Sequence, residues 1–189
     1  RVLFRSLALR LECKYMTRLM IEGTTRNMVR TLFVNKTRCE KLHRRPAGVP
    51  TTEFKKIGVV GAGLMGAGIA QVAARAGIDV ILLDVDLAAA ERGKAGIAKR
   101  LGDSVAKGRL AADKAEQTLA RITPTADYGA LRGAQLVVEA VFEDRTAKAR
   151  VIESLDAVLG ADAVLATNTS TLPITGLAEY AKRAKHFIG

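Results

Sequence analysis

Lys56-Ile57-Gly58-Val59-Val60-Gly61-Ala62-Gly63-Leu64-Met65-Gly66-Ala67-Gly68-Ile69-Ala70 is the stretch on which the rest of the chain is organised. An apolar, β-type run breaks into glycines spaced G-x-G-x-x-G and passes directly into a helical pattern, the strand, tight turn and helix order that a dinucleotide site requires. Each glycine has a task. Gly61 turns the chain sharply off the strand, Gly63 leaves the backbone open to a pyrophosphate, and Gly66 lets helix and strand pack closely. The amides at the helix start then face the phosphates, where the helix dipole favours negative charge.

Outward from the glycines, strands and helices alternate. A helix from Leu64 to Ala76 is expected to bury Ile69, Val72, Ala73 and Ala76 before Gly77 stops it. Asp79 to Leu83 is a continuous apolar run suited to a sheet covered on both faces. A long helix over Leu87–Lys107, a shorter one ending near Leu119 and a short strand over Arg121–Thr125 follow. Ala134–Val141 and Ala163–Asn168 are further buried strands, separated by a helix over Asp144–Leu159. Pro173 is placed in the first turn of the next helix, where its missing amide costs nothing. His186-Phe187-Ile188-Gly189 opens one more strand. The fold class is therefore α/β, a Rossmann-type doubly wound, mainly parallel sheet over residues 51–189.

Residues 1–50 read differently. They hold 12 Lys and Arg against 3 acids, whereas residues 51–189 hold 18 against 16, so the net charge of +11 belongs to the first segment. A nearly neutral second part argues against nucleic acid as its partner. Arg1, Arg5, Arg10, Lys14 and Arg18 interleave with Leu3, Phe4, Leu7, Leu9 and Leu11. That pattern fits an amphipathic or poorly ordered leftover, with an organellar targeting segment as the alternative. Thr25 is expected to cap a helix carrying Met28, Val29, Leu32, Phe33, Cys39 and Leu42 on one side as a packing stripe. Arg45-Pro46-Ala47-Gly48-Val49-Pro50 breaks it and marks a linker, which puts the domain boundary at 50/51. The sequence starts at Arg1 rather than Met, and we expect a cut there. No apolar run approaches the roughly 20 residues of a membrane span. Cys13 and Cys39 lack a metal-ligand partner and are expected as reduced thiols, and the lone His43 and His186 as structural residues.

The chemistry-bearing positions follow strand ends. Asp84 closes the second strand 23 residues after Gly61, near the separation of an acid that binds ribose hydroxyls. A carboxylate accepts from a free 2′-hydroxyl and repels a 2′-phosphate, so NAD is favoured over NADP; the alternative is a turn or N-cap acid. Leu64 and Met65 lie in the glycine turn, where Met65 either contacts the cofactor or fills a gap in the core. Ligands of open α/β sheets gather beyond the carboxyl ends of strands, which places Glu143 and Lys148 near the nicotinamide half. A helix cap and a solvated charge are the plainer roles for those two. Ser170 also follows a strand and reads either as a site residue or as the cap of the helix holding Pro173.

Three stretches together carry a family resemblance: Gly61 to Ala70, Val138-Glu139-Ala140-Val141-Phe142-Glu143-Asp144, and Asn168-Thr169-Ser170-Thr171-Leu172. Residues 56–189 closely resemble the NAD-binding domain of the L-3-hydroxyacyl-CoA dehydrogenases, particularly the form found in multifunctional fatty-acid β-oxidation enzymes. Residues 24–50 look like the linker helix that follows the enoyl-CoA hydratase part in that form. The resemblance implies that the serine at 170 hydrogen-bonds the substrate's 3-hydroxyl beside the nicotinamide, and that Val141, Phe142, Glu143 and Lys148 line the cofactor. It implies an acyl-CoA substrate and a parent enzyme that is a homo-oligomer or is complexed with a thiolase. It implies a cytoplasmic location, or a mitochondrial one if residues 1–20 belong to a targeting segment. The family's base is a histidine in a Gly-Leu-His-Phe-Phe pattern that would begin at Gly189, so we expect NADH binding without turnover. Competing readings are a short-chain β-hydroxyacid dehydrogenase, a nucleotide-binding structural protein that lost catalysis, and a basic nucleic-acid binder acting through residues 1–50.

Overall fold

Six parallel strands pair in the order β3-β2-β1-β4-β5-β6, so the sheet reverses its winding between β1 and β4. The computed structural model describes residues 2–43, 45–49 and 51–189, and the side chains among these except those of Val2 and Leu3. The expectations placed on Arg1, on the Leu3 side chain and on Pro50 lie outside the described residues, as does Arg44. By internal contacts the chain divides into two compact units, Arg1–Thr52 and Glu53–Gly189.

The first unit is helical: α1 (Val2–Ile21), α2 (Gly23–Val29), a π-helical stretch (Arg30–Asn35) and α3 (Lys36–Glu40). Its second helix starts at Gly23 with Glu22 in the N-cap position, so Thr25 lies inside the helix and does not cap it. The stripe of Met28, Val29, Leu32, Phe33 and Leu42 is exposed. Cys13 and Cys39 are free and exposed. No helix among the described residues is long and apolar enough to cross a membrane.

The second unit runs β1 (Lys56–Val60), α4 (Leu64–Arg75), β2 (Asp79–Leu83), α5 (Leu87–Ala106), α6 (Ala112–Ala120), β3 (Ile122–Thr125), β4 (Leu136–Glu139), α7 (Arg145–Asp156), β5 (Val164–Thr167), α8 (Ile174–Ala178) and β6 (Phe187–Ile188). Side chains of a strand alternate between faces, and the two cores follow that parity. Ile57, Val59, Val80 and Leu82 meet α4, α5 and α6 through Ala67, Ala70, Ile97, Leu101 and Ala115. Val60, Leu83, Val137 and Leu165 meet α7 and α8 through Ile152, Leu155 and Leu177. Both faces are covered, which is why the strands read as apolar runs.

The structure corrects the buried face of α4. Gly66, Ala67, Ala70 and Ala74 form it, whereas Val72 is 68% exposed. Small residues let this helix lie close on β1, and its larger Met65, Ile69 and Val72 line an open apolar groove with Phe54, Ile57, Leu136 and Val138. β4 is shorter than the apolar run Ala134–Val141. Its neighbours β1 and β5 stop at Val60 and Thr167, the register partners of Glu139, so the ladder has nothing further to pair with. Before β6, Arg183 grips the end of α7: its Nε donates to Asp156 Oδ1 at 2.5 Å and Nη2 to the Leu159 carbonyl at 3.1 Å. That clamp fixes how the chain enters the last strand.

Candidate active site

Gly61 leaves β1 with φ +98°, a conformation L side chains rarely adopt, and a Cβ there would lie 2.6 Å from the Ala140 carbonyl oxygen. Its amide still donates to the Leu83 carbonyl at 2.8 Å, so the turn begins inside the sheet. A Cβ on Gly66 would lie 1.7 Å from the Gly61 carbonyl oxygen, the closest approach of α4 to the turn. Gly63 is the opposite case. Nothing lies within 4 Å of where its Cβ would be, and it occupies the N-cap position of α4. An open backbone at a helix N-terminus, where the first amides lack intrahelical partners, is the arrangement that takes a pyrophosphate.

Asp84 follows β2 beside this turn. Its Oδ2 accepts from the Ala62 amide at 2.6 Å and Oδ1 from the Val85 amide at 2.7 Å. Each oxygen keeps a lone pair for a ribose hydroxyl, so the carboxylate braces the turn and fits the sugar together. A cleft of about 470 Å³ opens here, with Gly63, Leu64, Asp84, Arg92 and Gly93 among its lining residues. Gly93 brings α5 against the turn: a Cβ there would sit 2.6 Å from the Ala62 Cβ. The residues present therefore fit a dinucleotide. Leu64, Met65 and Phe142 are exposed, at 83%, 57% and 83%.

Beyond β4 and β5 a polar network assembles. Glu143 Oε1 accepts from Thr169 Oγ1 at 2.5 Å, from the Ser170 and Thr171 amides at 3.1 and 3.2 Å, and from Thr171 Oγ1 at 2.9 Å. Asp144, not Glu143, caps α7, by accepting from the Ala147 amide at 2.8 Å. Pro173 occupies the N-cap position of α8 instead of its first turn, and no side chain caps that helix, so Ser170 is not a cap. Ser170 itself is exposed. Lys148 is fully buried, with Nζ 2.9 Å from Glu139 Oε1 and 3.3 Å from Glu143 Oε2. It is no solvated charge.

The hydrogen bonds from Thr169, then those from Thr171 and the two amides, hold the Glu143 carboxyl at about 2, well below its ordinary 4.5. Because the folded value is the depressed one, the stability that Glu143 contributes is present above the unfolded value and is lost as pH falls through the folded one. The urea-unfolding midpoints of the wild type and Glu143→Gln are thus expected to differ by a constant amount above about pH 5.5, the gap closing between about pH 4.5 and 2. A gap that closed nearer neutrality would place the carboxylate outside this network.

Glu139, Thr167, Thr169, Thr171 and Gly93 were not singled out by sequence reasoning. For Glu139 one signal exists: it ends an apolar strand two residues after Val137, and therefore faces α7. His186 sits in the turn Ala184–His186 that leads into β6, at the level of Val164 by register, so it is at the amino-terminal edge of the sheet and away from Ser170. No cluster of metal-binding side chains occurs among the described residues.

A six-stranded parallel sheet with this glycine turn at its switch point, and with Asp84 at the end of the neighbouring β2, defines a dinucleotide-binding domain of Rossmann type. Residues 56–189 match the family model described as 3-hydroxyacyl-CoA dehydrogenase, NAD binding domain. The chain belongs to that family, and NAD is its cofactor. Over 137 residues it is 38% identical to the fatty acid oxidation complex subunit alpha of Psychrobacter arcticus, a match that covers 72% of this chain and 19% of the relative. Among solved structures, (S)-3-hydroxybutyryl-CoA dehydrogenase PaaH1 from Ralstonia eutropha superposes with a TM-score of 0.70 at 35% identity, covering 71% of this chain and 48% of that one. FadB2 of M. tuberculosis gives a TM-score of 0.70 at 39% identity, covering 72% and 48%. The chain thus spans about a fifth of the curated relative and about half of these solved dehydrogenases.

Proposed function

We propose that residues 51–189 are the cofactor-holding half of an L-3-hydroxyacyl-CoA dehydrogenase of fatty-acid β-oxidation, and residues 1–50 its basic helical linker segment. The observation that supports this most is the Glu143 clamp, which folds Thr169–Thr171 onto the end of β4 and leaves Ser170 exposed next to the strand whose end abuts the glycine turn. In this reading Gly61, Gly63 and Gly66 with the first amides of α4 take the pyrophosphate and Asp84 the adenosine ribose. Leu64, Met65, Val141 and Phe142 flank the cofactor, with Glu143 and Lys148 behind its nicotinamide half. The Ser170 hydroxyl hydrogen-bonds the 3-hydroxyl of an acyl-CoA substrate. Bound NAD supplies the acceptor for the hydride that leaves C3.

The hydroxyl proton must go to a base with a pKa near the working pH. Glu143, at about 2, does not hold a proton there. His186 stands at the far edge of the sheet. We infer that the base comes from outside residues 53–189, and that the chain by itself binds NADH without oxidising substrate. The relative's role as a fatty acid oxidation complex subunit supports an assembled parent enzyme, a homo-oligomer or a complex with a thiolase, and its bacterial source a cytoplasmic location. A mitochondrial location follows instead if residues 1–20 act as a targeting segment. The test is incubation of the purified chain with NAD and an L-3-hydroxyacyl-CoA. Saturable NADH binding with no NADH production is expected, and turnover that disappears in Ser170→Ala would show that a sufficient base lies within the chain.

A further inference from the structure

Glu139 is fully buried and belongs to no role described above. It is the last residue of β4, on the face that α7 covers, and its register partner in β5 is Thr167. Its Oε1 accepts from Lys148 Nζ at 2.9 Å and from the Val141 amide at 2.8 Å, and its Oε2 from Thr167 Oγ1 at 2.7 Å and from Lys148 Nζ at 3.2 Å. Every one of these donors is fixed by backbone at a strand end or in α7, so the carboxylate is held from three sides. The ammonium it holds also reaches the Val141 carbonyl at 3.3 Å and Glu143 Oε2 at 3.3 Å. Glu143 in turn holds the serine loop with its other oxygen.

A buried lysine remains charged only where anionic partners compensate its lost hydration. With Glu139 in place, Lys148 Nζ is held at one point by both Glu139 oxygens and ties Glu143 to the end of the sheet. Without that tie, Glu143 lies on a surface loop between β4 and α7, where water competes for it. We propose that Glu139 is a positioning residue for the serine loop, acting through Lys148 and Glu143 to set where Ser170 stands at the cleft. Its relevance to substrate rests on the dehydrogenase reading; the mechanical linkage does not.

The linkage is read directly from backbone order in the intact chain. In ¹⁵N relaxation measurements the Thr169–Thr171 amides of the wild type are expected to behave as rigid backbone, with order parameters near about 0.85, and to fall below about 0.6 in Glu139→Gln. Amides of β3 and α5, at the other edge of the sheet, should not change. The double variant Glu139→Met with Lys148→Met keeps the pair's volume while removing both charges, an exchange that buried ion pairs tolerate. It should loosen the same loop, and it keeps the test available if Glu139→Gln does not fold. Glu143→Gln serves as the reference for a released loop. A purely structural Glu139 would lower global stability and leave the loop amides as in the wild type, and that result in both variants overturns the proposal. An NADH titration of the wild type runs alongside. Absence of binding there would remove the dehydrogenase reading and leave the relaxation result standing on its own.

Discussion

Gly66→Ala is expected to unfold much of the NAD-binding unit and to abolish NADH binding. The new methyl would lie 1.7 Å from the Gly61 carbonyl oxygen and 2.9 Å from its carbonyl carbon, and both of those atoms belong to backbone, so no flexible side chain is there to give way. Relief requires α4 to move off β1, which breaks its Gly66, Ala67, Ala70 and Ala74 contact. Overpacking of this kind costs about 1–3 kcal/mol and more where backbone must shift; here the cost is expected at the top of that range or above it. Gly63→Ala separates folding from binding. Its methyl meets nothing within 4 Å, so the urea-unfolding midpoint should stay close to that of the wild type while NADH binding weakens sharply. If Gly66→Ala folds and binds as the wild type does, the close approach of helix to turn is not what shapes the cradle.

The second large effect belongs to the buried pair. Lys148→Met leaves the Glu139 carboxylate buried with only the Val141 amide and the Thr167 hydroxyl as donors. Removing one partner of a buried pair costs about 3–5 kcal/mol, because the remaining charge cannot regain its hydration. Replacing both partners with apolar residues of similar volume is expected to recover most of that loss. Urea unfolding followed by circular dichroism measures both. Equal losses in Lys148→Met and in the double variant would mean that Glu139 left without its lysine carries no extra burial penalty, which contradicts this account of the pair.

Much of the fold was legible because its strands are covered on both faces and therefore read as continuous apolar runs. β1 and β2 fall where the sequence puts them. The glycine spacing reads directly because each glycine answers a local demand of the backbone. The buried face of α4 did not read, since large apolar residues suggest a core while close helix-to-strand packing selects small ones. Val72 and Ile69 were assigned inward for that reason, and Val72 faces out. Glu139 stayed hidden because an acid at a strand end looks like any polar boundary. Its burial follows from the β4–β5 register and from α7 crossing above, which no local pattern encodes. Thr25 misled for a related reason: the helix it was expected to start continues upstream of it, to Gly23.

The most direct test of the central claim is a fluorescence titration of the intact chain and of Asp84→Ala with NADH and NADPH. The Asp84 carboxylate is held by the Ala62 and Val85 amides at the cleft, and the proposed function has it accept from ribose hydroxyls and repel a 2′-phosphate. Hydrogen bonds to a charged group contribute about 1.5–3 kcal/mol each. The intact chain should therefore bind NADH saturably and at least about tenfold tighter than NADPH, and Asp84→Ala should weaken NADH binding and narrow that preference. No saturable binding of NADH, or a preference that Asp84→Ala leaves unchanged, would contradict a NAD site at this turn.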